Sequence, residues 1–287
     1  MNERMTTPMT DKIVLITGAT AGIGKQTALE LAKLGAHVVV VARSADKTKR
    51  VVEELKQHSG NANIDSFLAD LSSLHSIREL AKDVLAKYPR IDVLVNNAGA
   101  INLARETTVD GYERTFATNH LAYFLLSQLL LPALEAAPSG RIVNVSSDAH
   151  RTGRLDFSDL QAEKSYSMLK AYGRSKLANI YFTRELARRL AGTRVTVNAL
   201  HPGFVASDFL TKDGWAGWLK PVLNLFAISV EKGARTSIWA ASSPDVQGVT
   251  GKYFYECKEK QPKSYALDDA AAAQLWAESE KLVAAVP

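Results

Sequence analysis

Residues 36–43 read AHVVVVAR. A strand this apolar has no face to turn to water, so both of its faces must be covered. The charged helical pattern KTKRVVEELKQH follows it. The same unit recurs along the chain. KIVLITG precedes the helix of GIGKQTALELAKLG, which Gly35 closes. IDSFLADL precedes SSLHSIRELAKDVLAKY, and IDVLVNNAG precedes a long helix expected over about Val109 to Ala136. RIVNVSS leads through a polar insertion to a helix over about Leu169 to Leu190, and RVTVNALHPG follows. A last pair of elements surrounds GVTGKYFYE and DDAAAAQLWAESEKLVAA. Alternation of this kind predicts an α/β fold: a single doubly wound Rossmann-type parallel sheet with helices on both faces. There is no internal repeat and no linker to divide it, so one domain is expected over 11–287, with 1–10 a disordered extension. Ligands bind such sheets beyond the carboxyl ends of the strands.

Composition narrows the function classes. The chain has 287 residues, 46% hydrophobic and 23% charged, with 35 Lys and Arg against 30 acids. The resulting charge of +5 is spread along the chain. No basic run with interleaved aromatics marks a nucleic-acid groove, so no nucleic-acid partner is expected. Cys257 is the only cysteine, which excludes an intrachain disulfide, and no Cys/His cluster has zinc spacing. The start, MNERMTTPMTDK, has no apolar core. The longest apolar run, LAYFLLSQLLLPAL, is broken by Ser127 and Gln128 and is too short for a bilayer. A cytoplasmic protein without a transmembrane anchor is the expectation. The sequon at Asn144 falls in an apolar strand pattern and reads as chance.

TGATAGIG, 17–24, joins the first strand to the first helix with the spacing G-x-x-x-G-x-G. Glycines there permit a tight turn and let backbone approach a pyrophosphate at a helix N-terminus. Gly18, Thr20, Gly22, Ile23 and Gly24 are therefore candidate cofactor-binding residues. An NAD site wants a carboxylate after the second strand, for the ribose hydroxyls. This chain has Arg43 and Ser44 there, and no acid until Asp46. Arg43 suits a 2′-phosphate, and Ser44 can add a hydrogen bond. The expected cofactor is NADP(H). Asp70 and Leu71, at the end of the third strand, would meet the adenine. Asn97, Ala98 and Gly99 would let the fourth strand end close to the cofactor. Pro202, Gly203 and Val205 would contact its nicotinamide end.

EKSYSMLKAYGRSKLAN, 163–179, holds Tyr-x-x-x-Lys twice: Tyr166 with Lys170, and Tyr172 with Lys176. Residues four apart on a helix share a face. Either pair could form an acid/base group.

In order, TGATAGIG, NNAG, the serine of NVSS, YGRSK and HPG resemble the short-chain dehydrogenase/reductase family. Within it, NVSSDAHRTGRLDFSDLQ, AYGRSKLANIYFTRELARRL, ALHPGFV and GKYFYECK look like the retinol dehydrogenase branch. The resemblance implies a catalytic tetrad of Asn119, Ser147, Tyr172 and Lys176. It also implies that Tyr172 and Lys176 contact the cofactor, and that a homodimer could form through the long fourth helix and the 169–190 helix. Animal retinol enzymes commonly carry a membrane-anchoring N-terminus, and no such segment is seen here. Retinoid specificity does not carry over with the fold. Ser207 stands where the family keeps Thr or Ser after its Pro-Gly turn.

Context favours Tyr172 over Tyr166. Gly173, Ser175 and Ala178 would admit a nicotinamide and a neighbouring helix. Tyr166 ends the polar insertion and belongs to a helix entry or pocket wall. A free tyrosine has a pKa near ~10. An ammonium about 4 Å away, at an effective dielectric of ~20, would favour phenolate by about 4 kcal/mol. Tyr172 would then exchange a proton with the substrate oxygen, which Ser147 would hydrogen-bond. Lys176 would hold the nicotinamide ribose, and Asn119 would fix a water between Lys176 and solvent. Residues 204–230 carry Phe209, Leu210, Trp215, Trp218, Leu223 and Phe226. They would form an apolar lid for a hydrophobic carbonyl or alcohol, with a core stripe, an oligomer contact or a membrane-touching patch as the alternatives. A non-catalytic NADP(H)-binding regulator and an epimerase or dehydratase of the extended relatives are the other functions open to this pattern.

Overall fold

In the computed structural model the described residues are 8–204 and 228–286. Eight strands form one sheet: β1 (Ile13–Thr17), β2 (His37–Ala42), β3 (Ile64–Leu68), β4 (Val93–Asn96), β5 (Arg141–Val145), β6 (Thr196–Leu200), β7 (Tyr253–Tyr255) and β8 (Lys258–Glu259). Their order is β3-β2-β1-β4-β5-β6-β7-β8, parallel except for the β7–β8 hairpin. The order reverses between β1 and β4, and a crevice opens at such a switch point.

Helices cover both faces, as the apolar strands require. On one face lie α1 (Gly22–Lys33), α2 (Ala45–Ser59) and α6 (Val230–Ser242). On the other lie α3 (Leu74–Lys87), α4 (114–135), α5 (Met168–Arg189) and α7 (Asp269–Ala284). β2 divides its side chains between the two cores, Val38 and Val40 on the first and Val39 and Val41 on the second.

Four local departures have physical causes. The long fourth helix α4 starts at Arg114–Phe116, not Val109; Gly111 has φ 83° and Thr107 bridges Glu113 in a tight loop. It then passes through a π-helical turn, Ala117–Leu121, into Ala122–Glu135. β3 is the sheet edge, so Leu68 stays 54% exposed and Asp70 falls in the turn beyond the strand. After β7 the chain reverses through Glu256 (φ 49°) and Cys257 (φ 58°) to make β8, an antiparallel edge that the apolar pattern did not announce.

The helix α7 lies across α4 and α5. Trp276 stacks on Phe182 at 6.1 Å and meets Phe124 at 4.8 Å. Arg78 and Tyr112 hold the main chain of α7 through the carbonyls of Val283 and Leu282. The chain's own last helix thus packs against the two helices through which a homodimer was expected. Among the described residues, no helix is long and apolar enough to cross a membrane and no group could hold a metal ion. Asn144 of the sequon is fully buried in β5.

Candidate active site

The glycine turn is tied to the end of β4. Gly18 has φ +67°, and a Cβ there would lie 2.8 Å from the Ala98 Cα. The Thr17 hydroxyl accepts from the Asn97 and Ala98 amides at 2.9 and 3.0 Å. The Asn97 side chain donates to the carbonyls of Thr17 and Gly18 at 2.9 and 3.3 Å. Asn97 therefore braces the turn instead of merely leaving room. A Cβ on Gly24 would strike that same side chain and come 2.5 Å from the Gly18 oxygen. Gly22 opens α1, whose N-cap Ala21 makes no side-chain bond to the first turn. These uncapped amides can bind an anion. Thr20 and Ile23 are half-buried beside them.

Arg43 and Ser44 follow β2 and are exposed. Ser44 caps α2, accepting from the Lys47 amide at 3.4 Å, which leaves its hydroxyl proton free to donate. Arg43 pairs with no acid among the described residues. Asp70 is exposed, with Oδ1 accepting from the amide and hydroxyl of Ser72 at 3.0 and 2.8 Å. Leu71 is buried at 7% exposure, turned to the core.

Ser147 and Tyr172 are brought together from β5 and α5. The two serines after β5 divide their tasks. Ser146 is buried and donates to the Lys176 carbonyl at 2.7 Å. Ser147 caps the short turn Asp148–Thr152, accepting from the Ala149 amide at 3.1 Å, and hydrogen-bonds the Tyr172 hydroxyl. Lys176 is 3% exposed and donates to the Val145 carbonyl at 2.9 Å. Its Nζ lies 5.7 Å from the ring centres of both Tyr172 and Tyr123. A Cβ on Gly99 would lie 3.4 Å from the Asn119 Oδ1 and 3.6 Å from that Nζ. Residues 98 and 99 thus touch the glycine turn on one side and the lysine on the other.

The electrostatics differ from the expectation. Burial pushes Tyr172 up to about 12, against the Ser147 hydrogen bond that lowers it. Burial also brings Lys176 down to about 7. Desolvation disfavours both charged forms here. The Lys176 nitrogen donates to the Val145 oxygen, and burial outweighs its effect on the tyrosine. The protein alone therefore holds a protonated Tyr172, not a phenolate, at neutral pH.

Asn119 sits in the π turn, fully buried. Its amide donates to the Ala100 carbonyl and the Ser175 hydroxyl, both at 2.9 Å, and accepts from the Ala100 amide at 2.6 Å. The side chain anchors the loop after β4. Gly173 also serves another neighbour than expected. A Cβ there would meet the Ala149 oxygen at 2.6 Å and the Gly153 nitrogen at 2.9 Å. Its smallness admits the turn that carries Ser147.

The second Tyr-x-x-x-Lys pair dissolves. The helix begins at Met168 after Ser167, so Tyr166 precedes it and shares no helical face with Lys170. The Tyr166 hydroxyl donates to the Asn102 carbonyl at 2.7 Å, and Lys170 is exposed.

At the end of β6, Gly203 has φ +90°, and Ile228 packs where a Cβ would stand. Pro202 is half-buried between Gly203 and His201, whose ring stacks on Tyr255 at 4.0 Å. The Ile228 amide donates to the Phe204 carbonyl at 2.8 Å. Val205, Ser207 and the expected lid residues Phe209 to Phe226 lie outside the described residues. The sequence reading passed over Thr17 and Tyr123, whose hydroxyl donates to the Ala98 carbonyl at 2.8 Å. No local pattern could have marked Tyr123, because its partner is distant in sequence.

Comparison with known proteins agrees with this fold. Residues 12–215 match the family model for short chain dehydrogenases. Retinol dehydrogenase 14 of Mus musculus is 44% identical, over 96% of this chain and 86% of its own length. A crystal structure of an uncharacterised protein from Mycobacterium paratuberculosis superposes with a TM-score of 0.78 at 35% identity, covering 97% of this chain and 95% of that one. A short chain dehydrogenase from Shigella flexneri, crystallised with NADP, gives a TM-score of 0.72 at 25% identity, over 88% and 100%.

Proposed function

The chain belongs to the short chain dehydrogenase family and is an oxidoreductase similar to the retinol dehydrogenases; from that premise we propose that it is an NADP(H)-dependent enzyme interconverting a hydrophobic alcohol and its aldehyde or ketone. The observation that carries this reading is the convergence of Ser147, Tyr172 and Lys176 beside the glycine turn.

The residues fit a dinucleotide. The uncapped first turn of α1 would take the pyrophosphate, and the absence of a Cβ on Gly18 lets the turn lie flat against Ala98. Arg43, with the free hydroxyl proton of Ser44, would take the 2′-phosphate. The NADP complex of the Shigella flexneri relative supports the same choice. When bound, the cofactor supplies or accepts the hydride.

The chain's own residues do the rest. Tyr172, protonated at neutral pH, gives its proton to the substrate carbonyl oxygen in reduction. Ser147 hydrogen-bonds that oxygen and holds the Tyr172 hydroxyl in line. Lys176, whose pKa burial lowers to about 7, binds the nicotinamide ribose. Placing a cationic ring in the site would draw Tyr172 downward and make it a base for alcohol oxidation. Asn119 keeps the 97–100 loop in place behind Lys176. The large apolar side chains of 204–230 favour a hydrophobic substrate. The test is NADPH oxidation against aliphatic, aromatic and terpenoid aldehydes and ketones, retinal among them. Tight NADPH binding with no turnover anywhere in that panel would overturn the proposal.

A further inference from the structure

His150 takes no part in the proton and hydride steps, yet it is fully buried directly behind Ser147. The Ser147 carbonyl accepts two hydrogen bonds from it, one from the backbone amide at 3.1 Å and one from the ring Nδ1 at 2.8 Å. A carbonyl can only accept, so Nδ1 carries the ring proton. Nε2 is then an acceptor, and the Lys263 amide donates to it at 3.4 Å. Two partners thus select one tautomer of a neutral ring. The Tyr253 ring stands edge-on to it at 5.4 Å, with its hydroxyl 3.5 Å from Nδ1. The Tyr265 hydroxyl reaches the carbonyls of His150 and Arg151 at 3.2 and 3.0 Å. The turn that begins at Ser147 is therefore clamped by β7 and by the segment leading to α7.

We propose that His150 is a positioning residue for Ser147: its Nδ1–H holds the peptide plane after the serine, and its Nε2 fastens that plane to the backbone at Lys263. The inference rests on the reading of Ser147 as the group that binds the substrate oxygen. Ser147 has φ −158° and ψ 155°, at the point where strand becomes turn. The direction of its hydroxyl follows from the tilt of that peptide. Freed of the ring bond, the plane can rotate and carry the hydroxyl away from Tyr172. Misplacement of such a group by ~1 Å lowers turnover by about 100-fold.

Side-chain shape provides the test. The amide nitrogen of an asparagine stands where Nδ1 stands, and a glutamine reaches only the Nε2 position. In NADPH oxidation with retinal and nonanal, His150→Asn should keep kcat within about threefold. His150→Gln and His150→Phe should lower kcat by about 10- to 100-fold. The aldehyde KM, and the NADPH Kd read by fluorescence, should stay within about twofold for all three. Adding His150→Gln to Ser147→Ala should cause no further loss, because the histidine acts through the serine. Equal losses in the Asn and Phe variants, or losses that multiply in the double variant, overturn the proposal. A large loss in Ser147→Ala beside an unaffected His150→Gln does so too. An unaffected Ser147→Ala would instead sink the reading of the serine and the inference with it. Nitrogen-15 NMR of histidine-labelled protein tests the lock apart from activity: the proton is expected on Nδ1, and a proton on Nε2 refutes it.

Discussion

Gly173→Ala should damage both stability and turnover, against the usual trend. In a helix interior, alanine is better than glycine by roughly 0.5–1 kcal/mol. Gly173 lies well inside α5, so propensity alone forecasts a gain. Its surroundings reverse the sign. The new methyl would stand 2.6 Å from the Ala149 oxygen and 2.9 Å from the Gly153 nitrogen, and closer still to the Thr152 hydroxyl. Two of the three are backbone atoms, which no rotamer change can move. Gly153 faces the helix reciprocally, since a Cβ there would lie 2.7 Å from the Arg174 nitrogen. To restore contact near ~3.5 Å, the turn from Ser147 must recede by about 1 Å. Overpacking of this kind costs about 1–3 kcal/mol. After the propensity gain, a net loss of about 1–2 kcal/mol is left, or roughly 2–6 °C in Tm for a chain of this size. The same recession pulls Ser147 from Tyr172, so kcat should fall by about 10- to 100-fold while NADPH affinity holds. Differential scanning fluorimetry and NADPH oxidation read the two effects. A raised Tm together with kcat within twofold of wild type would refute the reasoning.

Three further outcomes follow from the site. Tyr172→Phe should abolish turnover, whereas Tyr166→Phe should leave it within about threefold, since that hydroxyl bonds the Asn102 carbonyl and the Thr115 side chain, away from Ser147 and Lys176; steady-state rates decide, and equal losses would break the assignment. Arg43→Asp should move the NADP/NAD preference toward NAD by about 10- to 100-fold in kcat/KM, equivalent to losing ~1.5–3 kcal/mol of charged hydrogen bonding; an unchanged ratio would place the 2′-phosphate elsewhere. Lys176 gives a pH signature of known sign. Its folded pKa is about 7 against an ordinary 10.5, so between these values the unfolded chain holds the proton and the folded chain does not. Stability then gains from this group as pH rises through that window, by up to ~1.4 kcal/mol per pH unit. Denaturant titrations from pH 7 to 9 should show the slope reduced in Lys176→Met; identical slopes would mean the ammonium is not desolvated as its burial implies.

Much of the fold was legible because the strands are short and apolar on both sides. AHVVVVAR permits almost no other environment than the middle of a covered sheet. The start of α4 was misjudged because Val109 fits the helical pattern while Gly111 and the Thr107–Glu113 bridge hold that stretch in a loop. The hairpin to β8 escaped notice because it needs two residues, Glu256 and Cys257, at positive φ without a glycine to signal it.

For the site, local spacing brought both Tyr-x-x-x-Lys pairs forward equally. The small residues around Tyr172 favoured that pair, and the start of α5, which depends on how the 151–167 insertion packs, takes Tyr166 off the helix. The residue types and their order along the chain determined the sheet, the glycine turn and the Ser, Tyr and Lys that converge on it, because periodicity and turn chemistry act over a few residues. Only the tertiary structure decided that Asn97 braces the turn, that Gly173 makes room for Ser147, and that α7 packs against α4 and α5. It also set the sign of the Tyr172 shift. Desolvation and close packing depend on every atom that surrounds a group, and those neighbours come from segments far apart in the sequence.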